Sequence, residues 1–256
     1  MRAFISFTKK EWLEQRRTGK LLMLAAVFVL FGIMNPAIAK LTPWLFEVMS
    51  EELAESGMMI TEVTVDALAS WTQFFKNIPM ALIAFVFLYA GSFAKDYESE
   101  TLIIILTKGM ARYKVVLAKA AVMLLFWTAG YWLCFGITYV YNAYFWDNSI
   151  ATGLMPAAFN WWLFGVFTVS LTVLFSVMSK NYSAVLLGTG GCVFVSYLLG
   201  LLPKIESYLP TTLMNSSAML IGAESFSDSI WAVVIASAAS VVFIVVSVPI
   251  FNKKQI

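Results

Sequence analysis

The sequence predicts an all-α polytopic membrane protein, with six transmembrane helices, an amphipathic elbow helix ahead of the first, and both termini on the cytoplasmic side. Composition is the first observation behind this. Of 256 residues, 61% are apolar and only 12% charged, whereas about a quarter of a soluble globular chain is charged. The mean hydropathy of +0.82 agrees, so water is not the main solvent of this chain. Run length is the second. Six apolar stretches, at 21–39, 78–94, 115–145, 160–178, 183–202 and 230–251, approach or exceed the roughly 20 residues that a helix needs to cross a hydrocarbon core about 30 Å thick. Loop charge is the third. Of 17 basic residues, only Lys40, Lys76 and Lys204 fall on one side of these runs; all the others fall on the opposite side. The positive-inside bias makes that richer side cytoplasmic and gives an even number of spans.

Residues 1–20 form the first element. At 100° per residue, Phe4, Ile5, Phe7 and Trp12 share one side while Lys9, Lys10, Arg16 and Arg17 gather opposite, which predicts a helix lying on the inner membrane surface. Glu11 and Gln15 interrupt the apolar arc, and Leu13 sits among the bases. The run that follows ends in Ala37-Ile38-Ala39, which imitates a signal-peptide cleavage site. A leader carrying Glu11 and Glu14 is unusual for a signal, so the run is a first span and residues 21–256 make up the transmembrane domain. After Pro43, Trp44, Leu45, Val48, Met49 and Leu53 recur at helical spacing beside Glu47, Glu51, Glu52 and Glu55. This predicts a separate amphipathic helix at the outer interface, within an extracellular segment 40–76.

The third run is overlong and implies tilt or extension past the interface. Tyr139, Tyr141, Tyr144, Trp146, Trp161 and Trp162 bracket the next external segment, 146–159, at the headgroup level where amphipathic rings anchor. In the fifth run, Ala184, Gly188 and Gly191 allow close helix packing. The last run carries Ala236, Ser237, Ala239 and Ser240 to the same effect, after an external segment 203–229.

Several function classes lack their raw material. Histidine is absent, and the two cysteines, Cys134 and Cys192, lie inside apolar runs, so a zinc cluster or disulfide framework is not predicted. Proton-coupled pumps and intramembrane enzymes need ionisable groups at membrane depth, and the six cores read as essentially free of them. Ser170, Thr172 and Ser176 offer hydroxyls for a sodium site, although such hydroxyls more often bond the preceding turn. A phosphate-binding loop of the G-x-x-x-x-G-K-[ST] type is missing, since Gly188-Thr189-Gly190-Gly191 lacks the lysine and lies in a span. The chain is therefore not predicted to be an enzyme or to bind a cofactor, and uphill transport would draw its energy from another polypeptide. Nothing reads as a nucleic-acid surface.

The connection between the second and third runs, 95–114, is the densest in charge. Acids come first, Asp96, Glu98 and Glu100, then the apolar stretch from Leu102 to Leu106, then Lys108, Arg112 and Lys114. That order suits a helix dipole and a docking role toward a soluble partner.

Here the sequence resembles the permease subunits of type 2 ATP-binding-cassette exporters. Their corresponding loop runs acid, glycine-threonine, a leucine-rich stretch, a hydroxyl residue, proline, arginine and a lysine at the next span; Glu98, Thr101, Leu102, Leu106, Thr107, Arg112 and Lys119 match. Glu100 stands where that family has glycine, and Gly109-Met110 replaces its proline region. Phe7, Lys10, Glu11, Trp12, Arg16 and Arg17 with Phe4 resemble its elbow helix. The resemblance implies two permeases pairing in the membrane, as a homo- or heterodimer among lipids. Each would engage a cytoplasmic ATPase that carries the ATP and Mg²⁺, through Glu98 to Arg112 with Lys108 included, and through a smaller contact at Lys180 and Asn181. It also implies outer re-entrant helices between Pro203 and Asp228 and a bacterial cell membrane as the location. With pathways lined by apolar and small residues, the expected cargo is an amphipathic or hydrophobic peptide or drug. Two other readings share these features: a membrane-embedded immunity or scaffold protein that binds a toxin without transport, and a permease exporting Na⁺ or lipid.

Overall fold

The structure, a computed structural model, describes residues 2–54, 65–98, 101–107, 109–215 and 217–254. The described residues form ten α-helices and no strand: α1 Arg2–Arg17, α2 Lys20–Ala54, α3 Ala67–Tyr89, α4 Ser92–Glu98, α5 Thr101–Thr107, α6 Arg112–Phe145, α7 Leu154–Met178, α8 Tyr182–Leu199, α9 Ser217–Leu220 and α10 Ile230–Lys253. Six helical stretches are long and apolar enough to cross a membrane, and the protein is an integral membrane protein. They begin in α2, α3, α6, α7 and α8 and in the turn leading to α10. At about 1.5 Å per residue, the 34 residues of α6 extend well past a hydrocarbon core.

The helices join at two ends. The near end holds α1, the described residues of the 90–111 connection, the 179–181 turn and the C-terminal end of α10. The far end holds 146–153 and the described residues of 200–229. α7 is the most enclosed span and α8 the least. α10 packs mainly on α7, while α2 packs on α3 and α6. Between these groups lies a core rich in aromatic rings, where Trp127 stands edge-on to Phe28 and Phe85 at centroid distances of 5.9 and 5.7 Å. Its indole fits because position 165 is glycine; a Cβ there would overlap the ring.

Three expectations about the elements need correction. The stretch after Pro43 is no separate helix, because α2 runs unbroken through Pro36 and Pro43. A proline removes one N–H and leaves the carbonyl four residues earlier without its usual donor. For Pro36 that carbonyl is Gly32 O, and the Thr138 hydroxyl of α6 donates to it at 3.0 Å. The second span starts at Ala67, well before residue 78, because the Asp66 carboxylate accepts from Ala69 N–H at 2.9 Å and caps the helix. Lys76 rides on the exposed face. Finally, 203–229 holds only short pieces among its described residues: 3₁₀ turns at Glu206–Tyr208, Pro210–Met214 and Phe226–Ser229, and the four-residue α9. Pro203, Pro210 and the Ser225–Asp228 capping box break this segment too often for a re-entrant helix to form.

Candidate functional site

The near end gathers most of the sequence-predicted site residues, beginning with α1. Its buried stripe is Phe7, Glu11 and Gln15, at four-residue spacing, while Ile5, Trp12, Leu13, Lys9, Arg16 and Arg17 face outward. The predicted division of apolar from basic faces is thus wrong: Phe7 is buried, and Ile5 and the outer part of Trp12, whose ring centroid is 4.8 Å from that of Phe126 in α6, are exposed beside cations. Glu11 and Gln15 cause the difference, since they turn inward to meet charge on other helices.

That charge is Lys119 in α6. Its ammonium donates to Glu11 Oε2 at 2.8 Å and to Ser92 O at 3.3 Å, and it lies 2.6 Å from Asp96 Oδ2. All three side chains are at most 4% exposed. Lys10 adds contacts to Glu11 at 3.0 Å and Glu14 at 2.7 Å, and Lys95 reaches Glu14 at 3.2 Å. Three lysines and three carboxylates therefore neutralise one another and tie α1, α4 and α6 together. Burial alone would raise the Glu14 carboxyl, but the hydrogen bond and charge of Lys10, with Lys95 and Lys119, hold it down at about 2. Burial opposes the charged form of Lys10 too, yet Glu14, Glu11 and Asp96 outweigh it and raise the ammonium above its ordinary value. Asp96 lies in the short α4 and Lys119 near the start of α6, so this pair sits at the near end of the bundle, where it is buried and mutually paired.

The 95–114 connection folds into α4 and α5. Leu102 is fully buried and Leu106 partly so, while Thr107 and the neighbouring Ile103 and Ile104 are exposed. Thr101 opens α5. The Glu98 side chain, Glu100 and Lys108 lie outside the described residues. Gly109, at φ +82°, makes the sharp exit from α5 that other residues rarely adopt. Arg112 turns back into the protein, donating to the carbonyls of Phe251, Asn252 and Lys254 at 3.0, 3.0 and 2.7 Å. It thereby caps the C-terminal end of α10.

Beside it, Lys254 donates to Val177 O at 2.7 Å and stands 4.7 Å from the Tyr97 ring centroid. Burial, with Lys180 nearby, pushes its ammonium below the ordinary value. Lys180, exposed in the turn before α8, lies 5.6 Å from the centroid of the same ring. Asn181 caps α8 by accepting from Ser183 N–H at 3.0 Å. The structure thus brings the two predicted loop segments, 95–114 and 179–182, together around Tyr97.

A second feature lies between α3, α7 and α8. Leu82, Val86, Phe164, Leu186, Thr189 and Val193 are among the residues lining a slot of about 270 Å³, apolar apart from Thr168, Thr189 and backbone. Trp161, expected in an anchoring belt, is instead buried and among the residues lining this slot, with Nε1 donating to Met214 O at 3.1 Å. Of the predicted packing residues on α8, only Gly188 meets a neighbour, the Phe175 ring; Ala184 is exposed, and nothing lies within 4 Å of a Cβ built at Gly191. The hydroxyls read as a candidate sodium site each donate to a backbone carbonyl. Ser170 and Thr172 donate to carbonyls one turn back at 2.8 Å, and Ser176 to Ala90 O at 3.4 Å.

Asp96, Glu14 and Lys95 escaped the sequence reading as a unit with Glu11 and Lys119. The one signal was Glu11 itself, a carboxylate in an otherwise apolar arc.

No family model matches the chain. The chain is similar to the uncharacterized transmembrane protein YxlG of Bacillus subtilis (strain 168), with 20% identity over 230 residues that cover 85% of this chain and 84% of that one.

Proposed function

We propose that this chain is the permease subunit of an ATP-driven exporter resembling the type 2 ATP-binding-cassette kind. The observation that carries the proposal is the meeting of the 95–114 and 179–182 segments around Tyr97, at the end of the bundle that also holds α1 and most of the basic residues. Such an end is a broad docking surface for a soluble subunit. It is taken as cytoplasmic on the strength of its positive charge, with α1 as the elbow at that membrane surface. ATP and Mg²⁺ reside on the partner, and a second permease completes the pathway. An amphipathic or hydrophobic cargo fits the apolar slot between α3, α7 and α8.

The exposed face of α5 supplies the test. Ile104→Glu alters a side chain that is 55% exposed and so spares the fold. An ATPase that copurifies with the native protein is expected to be recovered at least about tenfold less well with this variant, the effect of losing about 1.4 kcal/mol at an interface. An ATPase retained in full, or none associating with the native protein, sinks the proposal. Arg112 is a poor reporter for this purpose because its replacement also uncaps α10.

A further inference from the structure

The outward face of α1 carries an arrangement that neither the ion cluster nor ATPase docking uses. Ile5, Lys9, Trp12 and Arg16 follow one another at spacings of four, three and four residues, so they form a single stripe along the helix. All four are exposed. Every acid of α1 is turned the other way: Glu11 and Glu14 are committed to Lys10, Lys95 and Lys119. Lys9, Arg16 and Arg17 pair with no carboxylate among the described residues. The helix has therefore sorted its charges, with a neutral network inside and uncompensated cations outside. Beside Lys9, the side chains of Phe4, Ile5, Thr8 and Trp12 shape a shallow, largely apolar groove of about 350 Å³.

We propose that this stripe binds a phospholipid with an anionic headgroup, its acyl chain along Ile5 and Trp12 and its phosphate between Lys9 and Arg16. Charge complementarity selects the occupant. A zwitterionic lipid could fill the apolar groove, but it would leave both cations without a net partner, whereas an anionic headgroup near the surface gains from each. Long basic side chains that extend from an apolar strip to the headgroup level make the same division of labour along their own length. A soluble acidic protein would match the cations but not the exposed isoleucine and tryptophan that alternate with them. The site depends on the chain being membrane-embedded and is independent of any ATPase.

The test uses the full chain in detergent, titrated with dioleoyl phosphatidylglycerol or dioleoyl phosphatidylcholine, with bound lipid counted by native mass spectrometry. The native protein is expected to favour phosphatidylglycerol, and Lys9→Gln with Arg16→Gln to lower that preference by about fivefold for each cation removed. Raising salt toward 1 M, where the screening length falls to about 3 Å, is expected to weaken it likewise. Ile5→Asn is expected to reduce binding of both lipids alike, separating the groove from the cations. Lys114→Gln with Lys253→Gln, cations elsewhere at the near end, should leave the preference in place. Equal binding of the two lipids by the native protein, or a preference lost as readily through Lys114 and Lys253 as through Lys9 and Arg16, overturns the proposal. Failure of ATPase copurification leaves it untouched.

Discussion

Lys119 has the strongest individual claim on stability. Its ammonium is 2% exposed between Glu11 and Asp96, and removing one partner of a buried ion group strands the others in a poorly polarisable interior. Lys119→Met is expected to cost about 3–5 kcal/mol, with a matching fall in thermal midpoint measured in detergent. The triple replacement Lys119→Met, Glu11→Met and Asp96→Leu should recover much of that loss, because it removes the stranded charges along with their partner. A triple variant no better than Lys119→Met alone would show that packing, and not charge pairing, holds α1. Sequence exposed only half of this site. Lys119 and Glu11 lie 108 positions apart, and nothing in a periodicity joins residues so distant; only the misfit of a carboxylate in an apolar arc hinted that α1 faces something charged.

At the scale of the element, α2 shows why proline is a weak boundary signal in a membrane helix. Breaking the helix would free many backbone groups in hydrocarbon, whereas bending around Pro36 frees one carbonyl, which a hydroxyl on the next helix then satisfies. Thr138→Val is accordingly expected to destabilise the protein by about 1 kcal/mol, read from thermal melts. In a Pro36→Ala background, where the helix supplies its own donor, the same change should cost little; an undiminished cost would mean the hydroxyl acts elsewhere. The six spans themselves were legible because apolar length is a one-dimensional property. Their ends were less so. Lys76 looked like a boundary, yet one exposed charge on a helix face ends nothing, and the true start lay in a short polar residue, Asp66, positioned to cap. The continuation of α2 beyond Pro43 was hidden because a proline displays its missing N–H in the sequence, whereas the helix tolerates that loss and runs on.

For the molecule as a whole, the near end is joined by ionic and carbonyl contacts and the interior by rings, so acid should act on the former first. Glu14 carries the pH dependence. Its carboxyl moves from an ordinary 4.5 down to about 2 in the folded protein, so its contribution to docking α1 is complete above about 4.5 and is lost as pH falls toward 2. Amide-exchange protection of α1, corrected for the intrinsic pH dependence of exchange, is expected to decline across that window before protection of α6 and α7 does. Lys10→Gln should move the decline upward toward 4.5, since Lys10 is the main group holding the carboxyl down. Protection of α1 that is indifferent to pH down to 2 would remove Glu14 from the docking contacts. The two-ended distribution of charge was readable from the loops alone. The convergence of 95–114, 179–182 and the C-terminal residues on Tyr97 was not, because it depends on how α4, α7 and α10 finish relative to one another in space.

The bond between Glu11 and Lys119 also sets a schedule. α1 leaves the ribosome ahead of α6, and the cation that completes its docking is made 108 residues after Glu11, a delay of about 5–20 seconds at ordinary rates of synthesis. During that interval two apolar helices are already available for insertion while Glu11 and Asp96 have no lysine of the third span to receive them, so α1 must wait in water or at the lipid surface. Final seating of the first helix therefore reports that the third has arrived, and a nascent chain stalled between them would display α1 loose, open to proteases and chaperones, as the mark of an unfinished molecule.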